Sequence, residues 1–147
     1  MKYRYLFLIA FFFGFLSANA QNAPDFVSHK ANENSFPLTT ENEPNFTILS
    51  DSSDFKAIQL ALTNLQNDFL VVTSRKPTQT YDAKTKSIKI IVGTFGKSKF
   101  INQLFDKGII NKTDLSGKRE KFIIQTVKHP FDGIDEALVI AGSDKRG

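Results

Sequence analysis

The sequence predicts an α/β sandwich built on a mixed sheet, and three observations predict it. Short apolar runs with strand character occur at residues 88–92, 122–127 and 137–140. Elsewhere the apolar residues switch to steps of three and four, the period of a helix facing a core. Gly, Pro, Ser and Asp clusters mark the changes of period, as connections require. The expected order is β-β-α-β-α-β-β, with a further helix expected after the last strand.

Residues 1–20 are set aside first. Met1, Lys2, Tyr3 and Arg4 form a short basic stretch, and residues 5–16 are apolar and rich in Phe and Leu. Ala18-Asn19-Ala20 then fits the small-x-small cleavage rule. This is the pattern of a secretory signal peptide cut after Ala20, which gives a secreted or periplasmic product starting at Gln21. The run is shorter than the roughly 20 apolar residues a membrane-spanning helix needs. No membrane partner is therefore expected after cleavage.

Residues 21–35 are polar, rich in Asn, and read as a leader. Residues 36–147 read as a single α/β domain. Residues 35–39 and 45–49 are expected to be its first two strands. Residues 50–54 cluster helix-capping side chains. Phe55, Ile58, Leu62, Leu65, Phe69 and Val72 follow at alternating steps of three and four, which places all six on one helix face. Arg75 and Lys76 suit a helix C-terminus, and Pro77 prevents continuation. Residues 78–86 read as a polar loop and residues 88–92 as a strand.

A tight connection at residues 93–96 leads to Ser98, which can cap a second helix. Phe100, Ile101, Leu104 and Phe105 point inward in that helix, and Gly108 stops it. Residues 109–120 are an irregular polar crossing. Two strands, 122–127 and 137–140, are joined through His129-Pro130-Phe131-Asp132-Gly133. The second is a continuous apolar run, which suits a strand buried on both faces. Gly142, Ser143 and Asp144 then supply a turn residue and two good N-caps. A helix is expected to start there. Residues 36–147 therefore read as a domain short of its last helix, the leading piece of a longer protein. An apolar patch is expected over strands 88–92 and 137–140 where that helix is missing.

Composition narrows the function. Cysteine is absent, so the domain folds without disulfides and offers no thiol chemistry or Cys-based metal site. Removing Lys2 and Arg4 with the signal leaves 17 basic against 15 acidic side chains, a net charge of +2. The lysines are scattered rather than interleaved with aromatics, which argues against nucleic acid. Phe numbers 15 against 3 Tyr and no Trp. Sugar-binding surfaces favour Trp and Tyr, whose rings join an apolar face to a polar edge.

Four groups of residues invite a chemical reading. Gly93, Thr94, Gly96 and Ser98 follow a strand and open a helix, as an anion site requires. The nucleotide motif needs a glycine at position 91, which is Ile, so the group reads as a tight turn or a carboxylate site. Asp132, Asp135 and Glu136 are neighbouring acids, and glycosidases use a carboxylate pair. They share one hairpin loop and read as a solvated turn, and Asp82, Asp106 and Asp114 are isolated. His29 and His129 lack partners at metal-ligand spacing, so no metal or cofactor is expected. Asn45 and Asn111 match the N-glycosylation pattern and read as polar loops. Ser143, Asp144, Lys145 and Arg146 follow a strand, where open α/β sheets present ligand loops.

Three blocks together carry a resemblance. Residues 137–147 (ALVIAGSDKRG), residues 90–98 (IIVGTFGKS) and residues 122–127 (FIIQTV) resemble, in order and spacing, the N-terminal domain of glycoside hydrolase family 115. Similar leading domains precede families 67 and 20. The resemblance covers residues 36–147. It implies a secreted xylan α-glucuronidase that removes (4-O-methyl-)glucuronic acid from xylan side chains. It places the catalytic carboxylates in a following barrel, so no catalytic residue is expected in this chain. It also places Ser143, Asp144, Lys145 and Arg146 near that barrel, with Arg146 able to fork a uronate carboxylate. The implied partner is xylan, with self-association of the full-length enzyme left open. The other reading is a stand-alone exported carbohydrate-binding or interaction domain.

Overall fold

The computed structural model describes residues 35–39 and 46–147. Residues 1–34 and 40–45 lie outside the described residues, and with them the expected signal peptide, most of the expected leader and Asn45. The compact unit spans Phe36–Gly147. Its elements are β1 (Thr47–Leu49), α1 (Lys56–Thr73), β2 (Thr78–Thr80), β3 (Ile88–Thr94), α2 (Lys99–Asp106), a 3₁₀ turn (Lys112–Asp114), β4 (Phe122–Lys128) and β5 (Glu136–Gly142).

The five strands form one mixed sheet in the order β2-β1-β3-β5-β4. All neighbours are parallel except β4 and β5, which pair antiparallel. From β1 the chain crosses through α1 to β2 on one side. From β3 it passes α2 and reaches β4 and β5 on the other. Because the chain winds outward both ways from β1 and β3, the two helices lie on opposite faces.

Each helix face has its own core. On one face, Phe100, Ile101, Leu104 and Phe105 of α2 pack with Leu49, Ile91, Ala137, Val139 and Ala141. All four expected inward residues of α2 are buried, and the Ser98 hydroxyl caps it by accepting from the Ile101 N–H. On the other face, Leu62 of α1 packs with Phe46, Ile48 and Ile90, flanked by Ile58, Leu65 and Phe69. Pairing slips at β1, where Thr47 meets Ile88 and Ile48 meets Ile90. The extra residue is Lys89, so Ile88 joins the α2 core while Ile90 joins the α1 core.

The α/β class and mixed sheet match the expectation, and several details correct it. Residues 35–39 form no strand. Pro37 lacks a donor, and Leu38 instead docks against the α1 core. The fifth strand is β2, inside the stretch read as a polar loop. Its Thr-Gln-Thr sequence has no apolar signal because it is an edge strand, bonded along one side to β1 and tied by the Thr47 and Thr78 hydroxyls at 2.9 Å. Helix α1 ends at Ser74 in a left-handed conformation, φ 56°. Val72 is 80% exposed rather than inward. The polar crossing buries Ile110 and Leu115 completely within the α2 core. Strand β5 buries Ala137, Val139 and Ala141 on one face and Gly142 at its end, while Leu138 and Ile140 are half-buried. The open apolar surface lies over β5 and β4, not over β3, whose Ile90 is sealed by α1. Phe122 and Ile124 of β4 are 59% and 58% exposed there.

Candidate functional site

Parallel strands end together, so the C-terminal ends of β1, β3 and β5 form one rim with the start of β4. The strand order reverses between β1 and β3, the place where open α/β sheets take ligands. The rim unites both groups of candidate site residues. Thr94 pairs with Gly142, and the Phe95 N–H donates to the Gly142 carbonyl at 2.8 Å. Gly93, Thr94, Gly96 and Ser98 therefore stand beside Ser143, Asp144, Lys145 and Arg146.

The capping cluster after β1 also converges on this rim, and it works across the sheet rather than locally. The N-cap position of α1 is Phe55, which has no side-chain cap. Asp51 instead reaches α2, where its Oδ2 accepts from the Lys99 N–H at 2.7 Å. Its Oδ1 accepts from the N–H and hydroxyl of Ser53, both at 2.9 Å. Burial pushes the Asp51 carboxyl upward. The Lys99 and Ser53 amides, the Ser53 hydroxyl and the Lys99 charge outweigh it and hold the carboxyl below its ordinary value. Asp54 bridges two elements, accepting from the Phe55 N–H and, through Oδ2, from the Thr94 N–H at 2.7 Å.

The backbone donors of the 93–98 turn are thus in use. Thr94 N–H meets Asp54, Phe95 N–H meets Gly142, and Gly96 N–H meets Asn102 Oδ1 at 2.8 Å. Lys97 and Ser98 donate to the Thr94 carbonyl, and Lys99 donates to Asp51. An internal carboxylate occupies the helix N-terminus where an anion would sit. Gly93 is required because a Cβ there would strike the Ser98 side chain. One group is left over. The Thr94 hydroxyl is buried without a hydrogen-bond partner among the described residues.

The second loop is latched to the start of β4. Ser143 N–H donates to the Lys121 carbonyl, and the Ser143 hydroxyl accepts from the Lys121 N–H at 3.0 Å. Asp144 accepts from the Glu120, Arg146 and Gly147 N–H groups at 2.9–3.1 Å. Those hydrogen bonds, led by the one from Glu120, hold its carboxyl below the ordinary value. The bonds to the second and third following amides are the geometry of a helix N-cap. Arg146 pairs with Glu120 at 3.0 Å, and both side chains are more than half exposed.

Beside the rim, on the α2 face, lies a groove of about 270 Å³ lined by Phe95, Gly96, Asn102, Phe105, Asp106 and Lys112. Lys112 Nζ stands 5.8 Å from the Phe95 ring centre, and Phe95 meets Phe105 edge-on. Neither Phe95 nor Lys112 stands out in the sequence, since one follows a strand and the other sits in a polar crossing. Asp132, Asp135 and Glu136 are exposed around the β4–β5 turn. That turn is pinned by buried Phe131, which meets Phe100 edge-on, and by Ile134. Asn111 uses its side chain to accept from the Thr113 N–H at the 3₁₀ turn. His29 lies outside the described residues.

No protein-family model matches the chain, and no curated protein is significantly similar to it.

Proposed function

We propose that this chain is the non-catalytic leading domain of a secreted glycoside hydrolase, an α-glucuronidase acting on glucuronoxylan. The observation that carries the reading is the use made of the acids at the rim. Asp51, Asp54 and Asp144 all spend their carboxylates on backbone amides of neighbouring segments. A glycosidase needs two carboxyls facing one sugar, about 5–10 Å apart. These carboxyls instead hold the rim rigid, which suits a domain that buttresses a pocket built elsewhere.

In this reading the loop of Ser143, Asp144, Lys145 and Arg146 supplies one wall of that pocket. The Arg146–Glu120 pair is exposed, and exposed pairs contribute little to stability. The guanidinium therefore exchanges Glu120 for a uronate carboxylate at small cost, with a bidentate fork available. The test is the product of the gene. Intact-mass measurement of the secreted protein should give a species several hundred residues longer than this chain, starting at Gln21. A secreted product ending at Gly147 would refute the reading.

A second reading, a stand-alone exported carbohydrate-binding domain, is favoured by the groove at Phe95, Asn102, Asp106 and Lys112. It combines a ring face with polar groups and has room for about one sugar ring. Titration of the purified chain with xylo-oligosaccharides separates the two. Saturable binding lost in Phe95→Ala supports the second reading.

A further inference from the structure

We infer that this chain pairs with a second copy of itself along the outer edge of β4, antiparallel about a two-fold axis at Gln125, so that the two sheets become one. The inference holds whether or not the chain leads an enzyme. It rests on which edge of the sheet is open, how that edge is built, and how its two ends are charged.

The sheet ends in β2 on one side and β4 on the other. The β2 edge is blunted, because it has three residues and they are polar. Its Gln79 amide is tied to Ser50 and Gln59, and its Thr80 hydroxyl to Thr85. The β4 edge has seven residues. Residues 122–127, FIIQTV, hold no charge, Pro or Gly and favour strand pairing. Edges of this kind are normally interrupted by a charge, a Pro or a bulge. Here the β4–β5 register runs without a shift, and charges stand only at the ends, on Lys121 and Lys128. One usable edge in each copy gives a closed pair rather than a fibre.

The backbone sets the register. Ser143 N–H donates to the Lys121 carbonyl and His129 N–H to the Asp135 carbonyl, so the odd-numbered residues of β4 bond to β5. Phe122, Ile124, Thr126 and Lys128 therefore turn their N–H and C=O groups outward, where no described residue meets them. Antiparallel pairing that uses all four sets Phe122 against the partner's Lys128 and Ile124 against the partner's Thr126, each pair exchanging two bonds. Gln125 then lies on the axis. The exposed Phe122 ring gains the stem and ammonium of Lys128, and exposed Ile124 gains a β-branched neighbour.

Charge selects the antiparallel sense, which puts the start of one β4 beside the end of the other. Around the start, Lys118, Arg119, Lys121, Lys145 and Arg146 stand against Glu120 and Asp144, a net charge of +3. Around the end, Asp132, Asp135 and Glu136 stand against Lys128 and Lys107, whose Nζ reaches the Pro130 carbonyl, a net charge of −1 at pH 7. Opposite ends therefore attract, and like ends brought together would repel. One strand from each copy is a small contact, so the pair belongs among weak interfaces, with a dissociation constant roughly in the micromolar range.

The absence of cysteine permits a direct test on the purified chain. Across the axis the two Gln125 Cα atoms form a non-hydrogen-bonded pair, about 4.5 Å apart, within disulfide reach. The two Lys128 Cα atoms lie six residues apart along the pair, roughly 20 Å, which no disulfide spans. Under mild oxidation Gln125→Cys should give a covalent dimer, and Lys128→Cys should not. Sedimentation equilibrium of the parent chain from about 1 to 100 µM should show the mass rising towards twice that of one chain. Thr126→Pro removes an outward N–H that the β5 ladder does not use, so it should stay folded and monomeric over the same range. A parent chain that remains monomeric at about 100 µM, with no disulfide in Gln125→Cys, overturns the inference. Equal cross-linking of both cysteine variants, a dimer that survives in folded Thr126→Pro, or mass that grows past two chains also overturns it.

Discussion

The carboxylate of Asp51 holds the amide of Lys99 at 2.7 Å, joining the end of β1 to the start of α2 across 48 residues of sequence. This bond and the Asp54–Thr94 bond cross the point where the strand order reverses. They bind the two halves of the domain at the rim where a ligand would otherwise enter. Asp51→Ala leaves the Lys99 and Ser53 amides without their acceptor and should lower stability by about 1–3 kcal/mol. Urea unfolding at neutral pH measures it, and a loss below about 0.5 kcal/mol would show that the latch is idle.

The same carboxylate predicts a pH dependence. Its folded pKa lies below its unfolded value, which for a free Asp is about 3.9. The stability it contributes is therefore complete above that unfolded value and lost as pH falls through the folded one. Asp51→Asn should be less stable than the parent at about pH 7, with the gap narrowing below about pH 4. A gap that stays constant into acid would detach the effect from ionisation.

Thr94 offers the opposite case. Its hydroxyl is buried and unpartnered among the described residues, whereas its backbone amide is held by Asp54. Thr94→Val removes an unsatisfied polar group at nearly constant volume. It should be neutral or stabilising by up to about 1 kcal/mol. A clear fall in melting temperature would reveal a partner for that hydroxyl.

Three positions on α1 separate the covered from the uncovered flank. Leu62 is 1% exposed, and Leu62→Ala should cost about 2–5 kcal/mol. Phe69 is only half-buried, edge-on to Phe46 at 5.0 Å, so its loss should fall nearer the lower end of the aromatic range, about 3 kcal/mol. Val72→Ala in this chain should stay within about 0.5 kcal/mol. Chemical unfolding of the three variants checks the order, with Leu62 and Phe69 well above Val72.

How much of this fold can be read from the sequence follows the strength of its periodic signals. Helix α2 is readable down to its cap, because Ser98 and four apolar residues sit at regular spacing. Helix α1 is readable as a helix, but the exposure of Val72 is not, since period reveals a face and not what lies opposite it. Strand β2 is invisible because an edge strand of Thr and Gln carries no apolar alternation. A strand at 35–39 is suggested by the alternation of Phe36 and Leu38, yet Pro37 between them withholds a donor. At the rim, proximity of Gly93, Thr94, Gly96 and Ser98 to Ser143, Asp144, Lys145 and Arg146 follows from parallel pairing of β3 and β5, which no local pattern encodes. The long reach of Asp51 and Asp54 is hidden for the same reason, because both read as local helix caps.

The most direct measurement is release of glucuronic acid from glucuronoxylan by this chain and by the longer secreted protein that the proposal makes it lead, assayed in parallel at equal molarity. The leading-domain reading requires no release by the chain, release by the longer protein, and a raised KM or lowered kcat in the longer protein carrying Arg146→Ala. Turnover by the purified chain alone would overturn it, because the chemistry would then reside in carboxylates that are spent on holding the rim together.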